Sequence, residues 1–231
     1  MAATIHLHPT APLADRVLLP GDPGRALLLA QELLESPRMF NHNRGLWGYS
    51  GTARDGAPLT IQSTGMGGPS AAIVISELAQ LGARRLLRVG TCGGLDGSLE
   101  LGALVIAEAA LTGDGTSRVL AGSERVAATG TLLAALKAAA DGAARAGLVV
   151  STDLFYDPAR REQSWAAAGA LAIEMETATL FALAASSELE AGSVLIVSDR
   201  VLPDRVRIDP DALRQAELRL GQVALRALAI G

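Results

Sequence analysis

The residues best equipped for chemistry in this chain are charged groups set into apolar runs. Arg88 lies in Leu86-Leu87-Arg88-Val89-Gly90-Thr91-Cys92-Gly93-Gly94, which reads as a buried strand breaking into glycines. A charge there is costly unless a partner neutralises it. A structural carboxylate would do so, and so would a bound phosphate. For a phosphate, the glycines let backbone N–H groups come close, and Thr91 adds a hydroxyl donor. Two carboxylates, Glu174 and Glu176, enter the apolar stretch Ala170-Leu171-Ala172-Ile173-Glu174-Met175-Glu176-Thr177 just ahead of an apolar helix. Acids at a helix start are stabilising in their own right, and a carboxylate beside a crevice also accepts bonds from sugar hydroxyls. Asp199 closes the apolar run Ser193-Val194-Leu195-Ile196-Val197-Ser198 and precedes Arg200. It suits either a surface ion pair or a general acid at a strand end.

The elements that must position these groups follow from the glycine loops. Three times an apolar strand gives way to one: Arg16-Val17-Leu18-Leu19 into Pro20-Gly21-Asp22-Pro23-Gly24-Arg25, Thr60-Ile61-Gln62-Ser63 into Thr64-Gly65-Met66-Gly67-Gly68-Pro69-Ser70, and the Arg88 strand into Gly90. In α/β sheets ligands bind beyond the carboxyl ends of strands, so such loops converge on one crevice. A helix over 26–34 would offer free N–H groups to an anion at its start, with Arg25 in the first turn. Further helices are predicted from Pro69 to Leu81, ended by Gly82, and over 131–141, 178–185 and 209–230. Strands over 46–53 and 58–63 form a hairpin about Asp55-Gly56, and others cover 103–110 and 148–151. Thr112-Gly113-Asp114-Gly115-Thr116 reads as a turn, and Phe155-Tyr156 as ligand stacking or edge packing.

Composition narrows the classes. With 231 residues, 49% of them hydrophobic, the chain can bury a large core as one domain over 1–231. A net charge of −4 gives no general pull toward nucleic acid or membrane, so an anion site must be local. Cys92 is the single cysteine, which excludes an internal disulfide and suits a reducing, cytoplasmic setting. Residues 1–12 lack a signal-peptide pattern, and no stretch is apolar enough to span a membrane. Three scattered histidines, His6, His8 and His42, predict no metal site. None of the loops matches a Walker or full dinucleotide pattern, so no nucleotide cofactor is expected.

Seven ordered stretches together resemble the nucleoside phosphorylase family that holds bacterial hexameric purine nucleoside phosphorylases and uridine phosphorylases. They are the loops at Gly21, Gly65 and Gly90, Asn43-Arg44-Gly45, Asp153-Leu154-Phe155-Tyr156, Glu174-Met175-Glu176 and Ser198-Asp199-Arg200. The resemblance implies a three-layer α/β/α fold with a central mixed, partly barrel-like sheet. It implies phosphorolysis of purine (deoxy)ribonucleosides to base and (deoxy)ribose 1-phosphate, with inorganic phosphate as co-substrate and no cofactor. Gly21, Arg25, Arg88 and Thr91 would bind phosphate, with Arg44 reaching a neighbour's phosphate. Glu176 would hold the ribose hydroxyls over Met175, and His6 (or His8) would approach a neighbour's 5′-hydroxyl. Phe155, Ile173, Cys92 and Gly93 would flank the base, and Met66, Glu174 and Ser198 complete the nucleoside set. Asp199 would protonate purine N7, assisted by an arginine from among Arg205, Arg207 and Arg214, of which Arg207 and Arg214 are assigned. A homohexamer, a trimer of dimers, follows from the roles of Arg44 and His6. Uridine phosphorylase is the nearest alternative, but Phe155-Tyr156 is not followed by the Gln-x-Arg spacing of the pyrimidine branch. Hydrolysis by a nucleosidase and non-catalytic binding are the others.

Overall fold

Apolar runs punctuated by glycine and proline set the order of elements in the computed structural model, which describes residues 4–230. The first half holds β1 (Arg16–Leu19), α1 (Pro23–Leu33), β2 (Leu34–Asn41), β3 (Gly48–Ala53), β4 (Pro58–Gln62), α2 (Gly68–Leu81), β5 (Arg85–Gly94) and β6 (Leu104–Thr112). The second holds α3 (Gly115–Ala121), β7 (Arg125–Ala127), α4 (Gly130–Ala140), β8 (Ala144–Ser151), α5 (Glu162–Ala167), β9 (Ala172–Glu174), α6 (Thr177–Ala185), β10 (Glu190–Arg200), β11 (Val206–Arg207) and α7 (Pro210–Ala229).

All the strands belong to one mixed sheet, and β5 is its hub. It pairs in parallel with β1 and β10 and antiparallel with β9. From β10 the pairing runs through β6, β8 and β9 back to β5, closing a five-stranded ring. Strands β1, β4, β3 and β2 continue outward as an open limb. The sheet is covered on both faces, which is why β5 and β10 read as continuous apolar runs rather than alternating ones. One face carries α1, α4 and α7, with Leu29, Leu33, Leu132, Leu136 and Leu220 buried between them. The other carries α2 and α6, with Val74, Leu78 and Phe181 at its centre. The predicted three layers and barrel-like sheet are present.

The local signals act as expected at several ends. Gly82 closes α2 in the left-handed conformation, φ 114°. The Asp209 carboxylate caps α7 by accepting from the Asp211 and Ala212 N–H groups. Strand β5 departs from the sequence expectation: it runs on through Gly90-Thr91-Cys92-Gly93-Gly94, where a glycine loop is expected, because its pairing with β10 continues along that stretch. Two further elements depart as well. The segment read as a turn at 112–116 contains the start of α3, because the Asp114 carboxylate accepts from Ser117 N at 2.7 Å and caps a helix. The second, β2, has no apolar pattern and includes Pro37. It survives because it is an edge strand, paired only with β3 and with two register breaks.

Candidate active site

The carboxyl ends of β1, β5, β9 and β10 and the loop after β4 surround a cleft of about 520 Å³. That is the size of a small-molecule site. Gly21, Arg25, Met66, Arg88, Thr91, Cys92, Gly93, Phe155, Ile173, Glu174, Met175, Glu176, Ser198 and Asp199 all line it. The chain therefore brings together fourteen of the residues selected from sequence.

Arg88 is 5% exposed, and both readings of it hold: it lines the cleft and is paired by carboxylates. Its Nε donates to Glu174 Oε2 at 2.8 Å, and its Nη2 lies 2.6 Å from Glu176 Oε2. Burial works against the guanidinium charge, but Glu176 and Glu174 outweigh it and hold the Arg88 pKa above its ordinary value. Gly90 makes room for this group, since a Cβ there would sit 2.7 Å from Arg88 Nη2.

The two glutamates divide their work. Glu174 Oε2 also accepts from Glu176 N at 3.0 Å and Thr177 N at 2.9 Å, and its Oε1 accepts from Ser151 Oγ. Through these bonds Glu174 fixes Arg88 and the start of α6. Glu176 Oε1 accepts from Gly67 N at 2.5 Å, tying the loop after β4 to α6. Burial pushes the Glu176 carboxyl above the ordinary carboxylate range, against the pull of Arg88.

The other loops are held by similar devices. The start of α1 is not free for an anion, because the Asp22 carboxylate caps it and accepts from Gly24 N and Arg25 N, both at 3.0 Å. Arg25 instead offers its side chain to the cleft, steadied by Glu217 of α7 at 2.7 Å from Nε. A Cβ on Gly21 would approach Gly65 O at 3.2 Å, so small residues let these two loops meet.

At Asp199 the register of β10 against β5 slips between Val197 and Asp199. Such a bulge re-aims side chains, and both Ser198 and Asp199 reach the cleft. Ser198 Oγ donates to Asp199 Oδ1 at 3.0 Å. The arginine at Asp199 is Arg205, whose Nη1 lies 3.1 Å from Oδ2 and whose guanidinium stands 4.7 Å from the Phe155 ring centre. Arg207 and Arg214, assigned from sequence, do not line the cleft. Arg207 is exposed on β11 although its Cα opposes Asp199, and Arg214 is exposed on α7. The turn before β11 carries Arg205 back toward the strand end, so that of the three it is the one in contact with Asp199. Burial pushes the Cys92 thiol up, so it stands as an inert wall of the cleft.

Two further sequence candidates lie off the cleft of their own chain. Arg44 is exposed in a tight turn at φ 58°, a left-handed conformation unusual for arginine. His6 Nδ1 is 2.7 Å from Glu77 Oε1 on α2, while His8 is exposed. Thr152, Leu154, Glu162, Val201 and Arg205 line the cleft without belonging to the assigned set.

A cleft of this build at one end of a ring-closed mixed sheet defines a class. A family model described as Phosphorylase superfamily matches residues 15–229, and the chain belongs to that superfamily. Within it, the chain is 38% identical to the purine nucleoside phosphorylase DeoD-type of Geobacillus kaustophilus (strain HTA426), over 84% of each chain. The protein of that name from Exiguobacterium sp. (strain ATCC BAA-1283 / AT1b) is 39% identical over 82% of this chain and 83% of its own.

Proposed function

We propose that this protein is a purine nucleoside phosphorylase, cleaving purine (deoxy)ribonucleosides with inorganic phosphate to give the base and (deoxy)ribose 1-phosphate. The observation that carries this reading is the convergence of Arg25, Arg88, Glu176 and Asp199 on one cleft. Gly90, against the Arg88 guanidinium, and Gly93, 3.7 Å by its Cβ position from Asp199 Oδ2, are three residues apart on β5. Three residues of strand span about 10 Å, the scale of a sugar with its base.

Phosphate sits with Arg25, Arg88, Thr91 and the Gly21 loop, below the anomeric carbon. The bond from C1′ to N9 breaks with its electron pair leaving on the purine, and a phosphate oxygen forms the new bond to C1′. Developing positive charge on the sugar is stabilised by the phosphate dianion, and Glu176 holds the ribose hydroxyls over Met175. A proton taken up with the substrate passes through Asp199 to N7, and Arg205 stabilises the carboxylate that remains. Phe155, Ile173, Cys92 and Gly93 pack against the base. Arg44 and His6 serve the cleft of a neighbouring copy, in a trimer of dimers. No cofactor takes part.

The test is base release from inosine, guanosine, adenosine and uridine, each with and without phosphate, resolved by chromatography. Phosphate-dependent purine release is the expected result; release without phosphate, or from uridine alone, overturns the reading. Asp199→Asn should slow inosine cleavage by about 10²- to 10⁴-fold. It should slow a 7-methylpurine nucleoside far less, because that leaving group needs no proton at N7.

A further inference from the structure

Arg25 and Arg88 both line the cleft, but the protein holds them in different ways. Arg88 is gripped by two carboxylates of the cleft wall, Glu174 and Glu176. Arg25 has one carboxylate partner, 192 residues away in sequence: its Nε donates to Glu217 Oε1 at 2.7 Å. Among the described residues Nη1 and Nη2 of Arg25 make no hydrogen bond, and Glu217 has no other hydrogen-bond or salt-bridge partner. The two side chains are 8% and 13% exposed, so the pair is largely shielded from water. Helix spacing explains the meeting. Arg25, Leu29 and Leu33 recur every four residues along one face of α1, and Glu217 and Gly221 do the same on α7. Gly221 lets the helices come close, since a Cβ there would stand 2.5 Å from Leu29 Cδ2 and 3.3 Å from Leu33 Cδ1. One turn earlier on each helix, the same approach brings Glu217 to Arg25.

We propose that Glu217 is a positioning residue for phosphate: by holding Nε of Arg25 it fixes the guanidinium and leaves Nη1 and Nη2 for the anion. The proposal rests on the phosphorylase reading, in which Arg25 binds phosphate. Glu217 does not line the cleft, so it acts through Arg25. A guanidinium is planar, and anchoring one N–H sets the direction of the others. An arginine already held in place also gives up less side-chain freedom when the anion arrives. The other carboxylates near Arg25 on the cleft wall have tasks of their own: Asp22 caps α1, and Glu174 and Glu176 hold Arg88. Charge alone predicts the opposite effect. A carboxylate behind an anion site repels the anion, so its removal would tighten phosphate binding; removal of a positioning group weakens it. The sign of the change therefore separates the two roles.

The experiment measures KM for phosphate and for inosine, each with the other saturating, in the unmodified enzyme, Glu217→Leu, Glu217→Gln, Arg25→Met and the Arg25→Met/Glu217→Leu double variant. Glu217→Leu keeps the bulk of the side chain and removes the acceptor. It should raise the phosphate KM about tenfold, the scale of one bond to a charged group, and leave the inosine KM within about twofold. Glu217→Gln keeps an accepting oxygen at the same reach and should restore the phosphate KM to within about threefold of the unmodified value. In the Arg25→Met background Glu217→Leu should add nothing, because its effect passes through Arg25. Calorimetric titration with inorganic phosphate should show the same order of affinities without turnover. A phosphate KM unmoved or lowered in Glu217→Leu, an equal rise in both KM values, or the full rise persisting without Arg25 overturns the proposal. If purine release stays phosphate-dependent in that case, the phosphorylase reading stands. If the unmodified protein neither releases purine with phosphate nor binds phosphate in the calorimeter, both readings fall.

Discussion

Replacing Arg88 by methionine keeps an unbranched apolar stem and removes the charge that two buried carboxylates share. The side chains of Glu174 and Glu176 are 1% and 8% exposed, and each makes a direct contact to the guanidinium, at 2.8 and 2.6 Å. Glu174 would keep three protein donors, from Ser151, Glu176 and Thr177. Glu176 would keep the backbone N–H groups of Gly67 and Met175 but no cation. The cost of leaving a buried charge unpaired is about 3–5 kcal/mol, and here it falls mainly on Glu176. Its dependence on pH has a definite sign. Burial already raises the Glu176 carboxyl above its ordinary value of 4.5 in the presence of Arg88. An acid with a raised folded pKa binds more protons folded than unfolded, so stability falls as pH rises from about 4.5 through that raised value. Without Arg88 the raised value climbs further, and the window of loss widens toward neutrality. Urea unfolding of Arg88→Met at pH 8 and pH 5, at fixed protomer concentration, should show the larger deficit at pH 8. Adding Glu176→Gln should recover part of it. Phosphate saturation of the reaction should weaken or vanish in the same variant. A deficit under about 1 kcal/mol, the range of a surface pair, or one that grows on acidification, would refute the argument.

Glu77 accepts from Leu7 N at 2.7 Å, from His6 N and Ile5 N, and pairs with His6 Nδ1, so one carboxylate anchors the N-terminal arm to α2. Burial alone would raise this carboxyl, yet the His6 side chain and the backbone N–H groups hold it below the ordinary range. The anchor is therefore present above about pH 4.5 and is lost as pH falls through the lowered value; hydrogen exchange of residues 4–8 should accelerate there, and at neutral pH in Glu77→Ala. Unchanged exchange in that variant would sink the anchoring role. At Gly93 an added Cβ would lie 2.5 Å from Val201 Cγ2 and 3.1 Å from Ile173 Cγ2. Gly93→Ala should cost about 1–3 kcal/mol in stability and raise the nucleoside KM several-fold while the phosphate KM stays put, which steady-state kinetics with each substrate varied would check.

The parts of the fold visible in the sequence are those whose cause is local. Glycine after an apolar run marks the turns after β1 and β4, because backbone must turn there whatever it packs against, whereas at Gly90 the pairing with β10 carries β5 straight on. Gly82 and Asp209 end and start helices through their own atoms. Asp114 is equally local, but glycines on both sides make its cap look like a turn. Strand β2 has no local cause. Glu35, Ser36, Pro37 and Arg38 are exposed, and only pairing along β3 makes them a strand. Its existence is a property of its neighbour.

The site divides in the same way. Arg88, Glu174, Glu176 and Asp199 stand out because a charge in an apolar run needs a reason, and each is buried at the cleft. What a residue type does not disclose is which partner satisfies it. Glu174 and Glu176 are two residues apart and both hold Arg88, yet Glu174 takes three further protein donors where Glu176 takes the Gly67 N–H. That difference arises where Ser151 of β8, the end of β9 and the first N–H groups of α6 meet, three segments that the closed sheet brings together. The arginine at Asp199 makes the point most sharply. Arg207 has the register position opposite Asp199, but Arg205, in the turn ahead of it, makes the ion pair. Counting along the chain favours neither, because a turn reverses direction within a residue or two and the Phe155 ring, from a distant segment, supplies the surface on which Arg205 rests.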